Sequence, residues 1–388
     1  MGAYLDHASA TEPHPAARAA LLTAIDDGWA DPVRLYREGR RARMLLDAAR
    51  QAVAAALGAR PDEVSFTAGG EQAATLAVLG AAAARRRSGA GVLVSAVEHS
   101  AVLRAADAAA DGAGTGTEAG GATRVPVDRL GRVAPAAFTP PPGTALACLQ
   151  HANHEVGTVQ PVAEVAEIVH AAGVPLHVDA TTTVGRRPLD VAALGADLLS
   201  AGANGYGGPA GVGILVVRTG TRWRNPLPPD DREFGRVAGF PNVPGIVAAA
   251  AALEARAGEM AVEAERHAAF SARLREQLPA LIDDVDLLGD PDPAGRLPGL
   301  VAFSCLYVDG ETLVTGLDAA GIAVSSGSSC VADSVTPSHV LAAMGALTHG
   351  NVRITFGRSS RASDIDALLA VLPDVVRGAR ERAGAVKL

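Results

Sequence analysis

Leu198-Leu199-Ser200-Ala201-Gly202-Ala203-Asn204-Gly205-Tyr206-Gly207-Gly208-Pro209-Ala210-Gly211-Val212-Gly213 starts as a short apolar run and passes directly into a glycine-rich stretch. The run at 198–201 reads as a buried strand. Upstream of it, apolar runs at 64–67, 91–95, 144–150 and 175–179 read as further strands. Segments with helical periodicity at 71–84, 100–110 and 162–172 lie between them. Alternation at this spacing predicts an α/β fold with a large doubly wound, mainly parallel sheet. Two helices precede it, at 14–28 and 37–57, after a strand-like segment at 4–5. The Gly/Ala/Thr-rich stretch 109–122 reads as a surface loop. A long helix at 243–278 is expected to lead into shorter strands and helices from 284 onward, an α+β arrangement. The expected division is a large domain, 13–255, and a smaller C-terminal domain, 256–388, with residues 1–12 packing on the smaller one.

The length of 388 residues leaves ample material for a buried core. Of the 34 Lys and Arg residues only one is lysine, Lys387. A net charge of −8 argues against a nucleic-acid surface. No apolar run approaches a membrane span, and Met1-Gly2-Ala3-Tyr4-Leu5-Asp6 lacks a signal pattern, so a cytoplasmic location is expected. The three cysteines show no metal-ligand spacing and suit reduced thiols, so no metal is expected. Cys148 and Cys305 lie in apolar runs and are expected in the core. Cys330 lies in the small-residue stretch Ser325-Ser326-Gly327-Ser328-Ser329-Cys330, which favours a reactive thiol.

Several motifs occur in a fixed order. Tyr4-Leu5-Asp6-His7-Ala8 is followed by Phe66-Thr67-Ala68-Gly69-Gly70-Glu71, Val97-Glu98-His99-Ser100-Ala101-Val102 and Gln150-His151-Ala152-Asn153-His154-Glu155-Val156-Gly157. Then come His177-Val178-Asp179-Ala180-Thr181, the glycine-rich stretch quoted above, Pro241-Asn242-Val243, the Cys330 loop and Val352-Arg353-Ile354-Thr355-Phe356-Gly357. In this order the chain resembles the cysteine desulfurases, a class V aminotransferase family of the fold-type I pyridoxal-phosphate superfamily. The glycine-rich stretch resembles the family's S-x-S-G-H-K-x-x-G-P-x-G-x-G. Anchored on Gly208-Pro209 and Gly211, the family's Schiff-base lysine falls on Gly205, the preceding histidine on Asn204 and the serine on Gly202.

The resemblance implies a pyridoxal phosphate site and assigns its positions. His99 lies where an imidazole stacks on the cofactor ring, and Asp179 where a carboxylate pairs with the pyridine nitrogen. Arg353 lies where the substrate carboxylate binds, and Cys330 where the persulfide forms. Other positions depart from the family. His154 replaces an asparagine that contacts the ring oxygen, Thr182 a glutamine, and Glu71 a phosphate-binding threonine. Phe240 replaces a threonine that reaches a neighbouring subunit, and Val237 an arginine. Glycine at 205 can neither form an imine nor move protons. These departures lead to the expectation that no cofactor is bound. With no phosphate, Glu71 is expected to act as an internal anion at the start of its helix.

Three readings follow. In the first, the chain has lost pyridoxal-phosphate chemistry and works in sulfur handling, as the non-catalytic partner of an active paralogue or as a persulfide carrier through Cys330. Its partners would be a second copy or that paralogue, together with a sulfur-acceptor protein. In the second, His99, His154, Asp179, Glu71 and Arg353 line an emptied pocket that works on an acidic metabolite. In the third, the chain is a desulfurase that retains pyridoxal phosphate without a covalent bond.

Overall fold

The computed structural model describes residues 2–87, 89–111, 122–228, 230–326 and 337–384. Along the chain run β1 (Ala3–Tyr4), α1 (Pro15–Asp27), α2 (Arg37–Leu57), β2 (Val64–Thr67), α3 (Gly70–Arg85), β3 (Gly91–Ser95), α4 (Ser100–Asp111) and β4 (Thr123–Val125). There follow β5 (Thr144–Cys148), α5 (Val162–Ala171), β6 (Leu176–Asp179), β7 (Leu198–Gly202), β8 (Gly213–Val217) and α6 (Val243–Leu281). The last elements are β9 (Val285–Leu287), β10 (Leu300–Cys305), α7 (Gly310–Ala319), β11 (Ile322–Ala323), α8 (His339–Met344), β12 (Asn351–Thr355) and α9 (Ala362–Arg382).

The main sheet has seven strands in the order β2-β8-β7-β6-β5-β3-β4. Pairing is parallel from β7 through β4 and antiparallel at β2/β8 and β8/β7. The antiparallel edge has a local cause. Residues 203–212 are too few for the crossover that a parallel return requires. Gly207 and Gly211 take φ of +89° and +80° there, so the chain turns back without steric cost. β8, the strand made by that return, was not among the strands expected from the sequence. The central strands are buried on both faces, as continuous apolar runs in a covered parallel sheet should be.

The outer edge of β2 is covered by side chains. Arg50 donates to the Val64 carbonyl at 2.7 Å, and Phe66 N–H donates to the Glu233 carboxylate at 2.8 Å. Arg50 and Glu233 join in a two-pronged buried ion pair of 2.7 and 2.8 Å. The pair occupies groups that a free edge would offer to another strand.

A second apolar cluster gathers Leu274, Leu278, Val301, Phe303, Ile354, Ile365 and Leu368 around the sheet β12-β10-β9. α6 spans 39 residues and contributes to both clusters: Ala248, Ala249 and Leu253 face the first, Leu274 and Leu278 the second. The N-terminal residues join the second cluster. β1 pairs in parallel with β11, Asp6 bridges to Thr355, and Leu5 is fully buried. Burying such a leucine stabilises by about 1.5–3 kcal/mol.

Candidate active site

The carboxyl ends of parallel strands are where open α/β sheets place ligands. Here the turns after β3, β5, β6 and β7 deliver His99, His154, Asp179 with Thr182, and Gly202 with Asn204 and Gly205 to one cavity of about 410 Å³. The start of α3 adds Gly70 and Glu71. The second cluster adds Ser325, His339 and Arg353, and the N-terminus adds Ser9. The motifs singled out in the sequence therefore converge, apart from Pro241-Asn242-Val243, which does not line this cavity, and Cys330, which lies outside the described residues.

Asp179 is held by its own turn: Oδ1 accepts from Thr181 N–H at 2.9 Å and from Thr181 Oγ1 at 2.7 Å. Behind it stands Glu98, fully buried. One Glu98 oxygen accepts from Gln150 N–H, and the other has no partner among the described residues. Burial first, then the Asp179 charge, hold the Glu98 carboxyl well above the usual carboxylate range, so it keeps its proton. His99 Nδ1 accepts from Ala101 N–H at 3.3 Å at the start of α4, which leaves Nε2 as the ring nitrogen that carries a proton. The His154 ring stands edge-on to it with centroids 5.2 Å apart.

Burial, and then the charges of His99, Arg353 and His339, push His154 well below the usual histidine range, and its buried Nδ1 has no partner among the described residues. Burial raises its neighbour Glu155 to about 7, against a hydrogen bond from Ser338 Oγ at 2.6 Å and the Arg353 charge. Arg353 donates to the His154 carbonyl at 3.1 Å, to Asp6 Oδ1 at 2.9 Å and to Ser9 Oγ at 2.8 Å, while its Nε is buried without a partner among the described residues. Thr182 Oγ1 donates to the Ala152 carbonyl at 2.8 Å. A Cβ on Gly202 would stand 2.9 Å from Asn204 Oδ1.

Glu71 sits in the first turn of α3 and is exposed. Its Oε2 lies 3.4 Å from where a Cβ on Gly69 would stand, and the carboxylate makes no hydrogen bond or ion pair among the described residues. That geometry is of a solvent-facing glutamate, not of an anion seated on the helix amides, because water competes for a side chain free to turn outward.

Sequence reasoning missed Arg186, Glu155 and His339 as parts of the cavity wall, and Glu98 behind it. Arg186 donates from Nε and Nη2 to the Gly205 carbonyl at 3.0 and 2.7 Å, and from Nη2 to the His7 carbonyl at 2.6 Å. The pair Arg186-Arg187 looks like ordinary turn chemistry, and nothing in its spacing signals a contact with Gly205. Glu98 and Glu155 do lie within the quoted motifs, beside the residues chosen. No group of three or more His, Cys, Asp or Glu suited to a metal ion occurs among the described residues.

The class-V aminotransferase family model matches residues 3–368. Cysteine desulfurase IscS of Dictyoglomus turgidum is 35% identical over 382 residues, which cover 97% of this chain and 95% of that protein. The chain belongs to the cysteine desulfurase family. The IscS-like cysteine desulfurase of Mycobacterium tuberculosis is 37% identical over 391 residues and 98% of each chain. A solved NifS-like protein superimposes with a TM-score of 0.88 at 27% identity, over 97% of this chain and 99% of that one. The fold is thus that of the fold-type I enzymes.

Membership corrects the expectation that no cofactor is used, because the cysteine desulfurases are pyridoxal-phosphate enzymes. Side chains are lost at several family positions, but the cavity keeps others that suit the cofactor. Its size suits a small cofactor. Asp179 turns its second oxygen away from its own hydrogen bonds, His99 and His154 supply ring faces, and the first-turn amides of α3 suit a phosphate. The residues therefore fit the ring and the phosphate. They do not fit a covalent anchor, since no lysine occurs among the described residues. Among the described residues no helix is long and apolar enough to cross a membrane.

Proposed function

We propose that this desulfurase-family protein works in cytoplasmic sulfur handling without lysine-dependent sulfur release, as a persulfide carrier through Cys330 or as the non-catalytic partner of an active paralogue. The observation that carries the reading is Gly205, taken as the position of the family's lysine. Its carbonyl is occupied by Arg186, and with no side chain at 205 no amine enters the cavity from this turn. Bound in the cavity, pyridoxal phosphate supplies an electron sink for an amino-acid substrate. The chain's part is then limited to positioning. Asp179 presents a carboxylate to the ring nitrogen, His99 holds a proton on Nε2, and Arg353 orients a carboxylate. None of these replaces an amine that carries a proton to and from substrate.

An exposed apolar face supports assembly with a second chain, a copy or a paralogue. Trp29 is 64%, Leu35 85%, Met44 65% and Phe240 59% exposed. The Arg232–Asp31 ion pair at 2.9 Å ties the two segments together. Apolar side chains of this size in one region mark an interaction surface. The test is mass spectrometry of the protein after mixing with an active desulfurase and cysteine. Persulfide should appear on the wild type and be absent from Cys330→Ser, and the protein alone with cysteine and pyridoxal phosphate should release no sulfide. Sulfide release by the protein alone, at a rate comparable to the active enzyme, overturns the reading.

A further inference from the structure

Among the described residues, the cavity wall beside Gly205 has more guanidinium groups than carboxylates paired with them. Arg186 is half-buried, and its hydrogen-bond acceptors are neutral: the Gly205 and His7 carbonyls and Thr11 Oγ1, the last at 3.2 Å. Among the described residues no carboxylate lies within ion-pairing distance of it. Arg353 lines the same cavity and pairs with one carboxylate among the described residues, Asp6. The two guanidinium groups are anchored on a single short loop, Arg353 on Asp6 and Ser9, Arg186 on His7 and Thr11. They are close enough to repel. Burial first, then the charges of Arg256 and Arg353, lower Arg186 to about 10 against the smaller effect of Glu263, which leaves it cationic at neutral pH.

The wall also holds an unused donor, since Arg353 Nε is buried without a partner among the described residues. The acidic groups facing the cavity do not cancel this charge. Asp179 forms an ion pair with neither guanidinium, Glu155 keeps its proton up to about 7, and Glu71 is exposed and makes no ion pair among the described residues. Two partly desolvated cations near each other favour an anion between or beside them. Glycine at 205 leaves the floor next to Arg186 free of a side chain.

We propose that the cavity binds a small acid with two anionic ends, one held at Arg353 and the other at Arg186 beside Gly205. The fork of a guanidinium suits a carboxylate at each end. This ligand class is independent of Cys330: either idea can fail without the other.

The test is calorimetric titration of the purified protein with succinate and with butyrate, which share a four-carbon chain and differ by one carboxylate, at ionic strength matched with chloride. Succinate should bind at least about tenfold more tightly, equivalent to about 1.4 kcal/mol. Arg186→Gln should lose that preference while still binding butyrate at the Arg353 end. Equal affinity for the two acids, no binding of either, or a folded Arg186→Gln that keeps the preference overturns the proposal. If the variant does not fold, the comparison of the two acids on the wild type decides alone.

Discussion

Glu155 offers a quantitative test of the cavity's electrostatics. Its side chain is 6% exposed, receives a hydrogen bond from Ser338 Oγ, and has His154 Nε2 3.7 Å away. His154 is itself uncharged at neutral pH, so it does not stabilise a Glu155 carboxylate. Burial therefore prevails and raises Glu155 from 4.5 to about 7. The folded state then binds more protons than the unfolded state between those values. Stability from this group is complete below about pH 4.5 and is lost as pH rises through 7. The gap corresponds to on the order of 3 kcal/mol. At about 2.1 cal/mol/K per residue of unfolding entropy, that loss lowers the melting temperature of a chain this long by about 4 °C. Glu155→Gln keeps an acceptor for Ser338 and removes the titration. The melting temperature of the variant minus that of the wild type should therefore climb by about 3 °C between pH 5 and 8, most steeply between 5 and 7 and levelling off above 7. Calorimetric scans of both proteins at several pH values measure it. A difference that stays flat across the range refutes the claim that burial dominates at Glu155.

Other outcomes follow from the same geometry. Gly205→Lys should gain a borohydride-reducible imine with pyridoxal phosphate on residue 205, found by peptide mass spectrometry, yet should not restore sulfide release from cysteine; robust turnover by this single variant would show that the remaining departures matter little. Removing one partner of the buried Arg50–Glu233 pair, as in Glu233→Ala, should cost about 3–5 kcal/mol in denaturant unfolding, because the other charge is left without compensation. Burial raises the Cys148 thiol far above its usual range and the Cys305 thiol to about 11, so labelling of the native protein at pH 8 should fall on Cys330; modification of Cys148 or Cys305 before it would contradict this.

Much of the site was legible in the sequence because its residues belong to short local patterns. A turn that follows a buried strand carries its own residues to the strand's end, so His99, His154, Asp179 and the 202–205 turn could be assigned from motif order alone. Helix limits were also local. The helix expected at 37–57 is α2, ended by Gly58 in the left-handed conformation, where a glycine has no Cβ to strain. The role of Glu71 was not legible, because a side chain's direction depends on what competes for it.

What the sequence by itself determined is the family, the succession of strands and helices, and the absence of lysine before Lys387. These depend on residue identity and on spacing within a few positions. Only the tertiary structure decided which charges face the cavity. Arg186 meets His7 across 179 positions of chain, Arg353 meets Asp6 across 347, and Glu98 meets Gln150 across 52. Such contacts have no period or spacing to read. Whether a guanidinium there finds a carboxylate or only carbonyls, and whether a buried carboxyl keeps its proton, is set by the groups that folding brings beside it and by the water it removes.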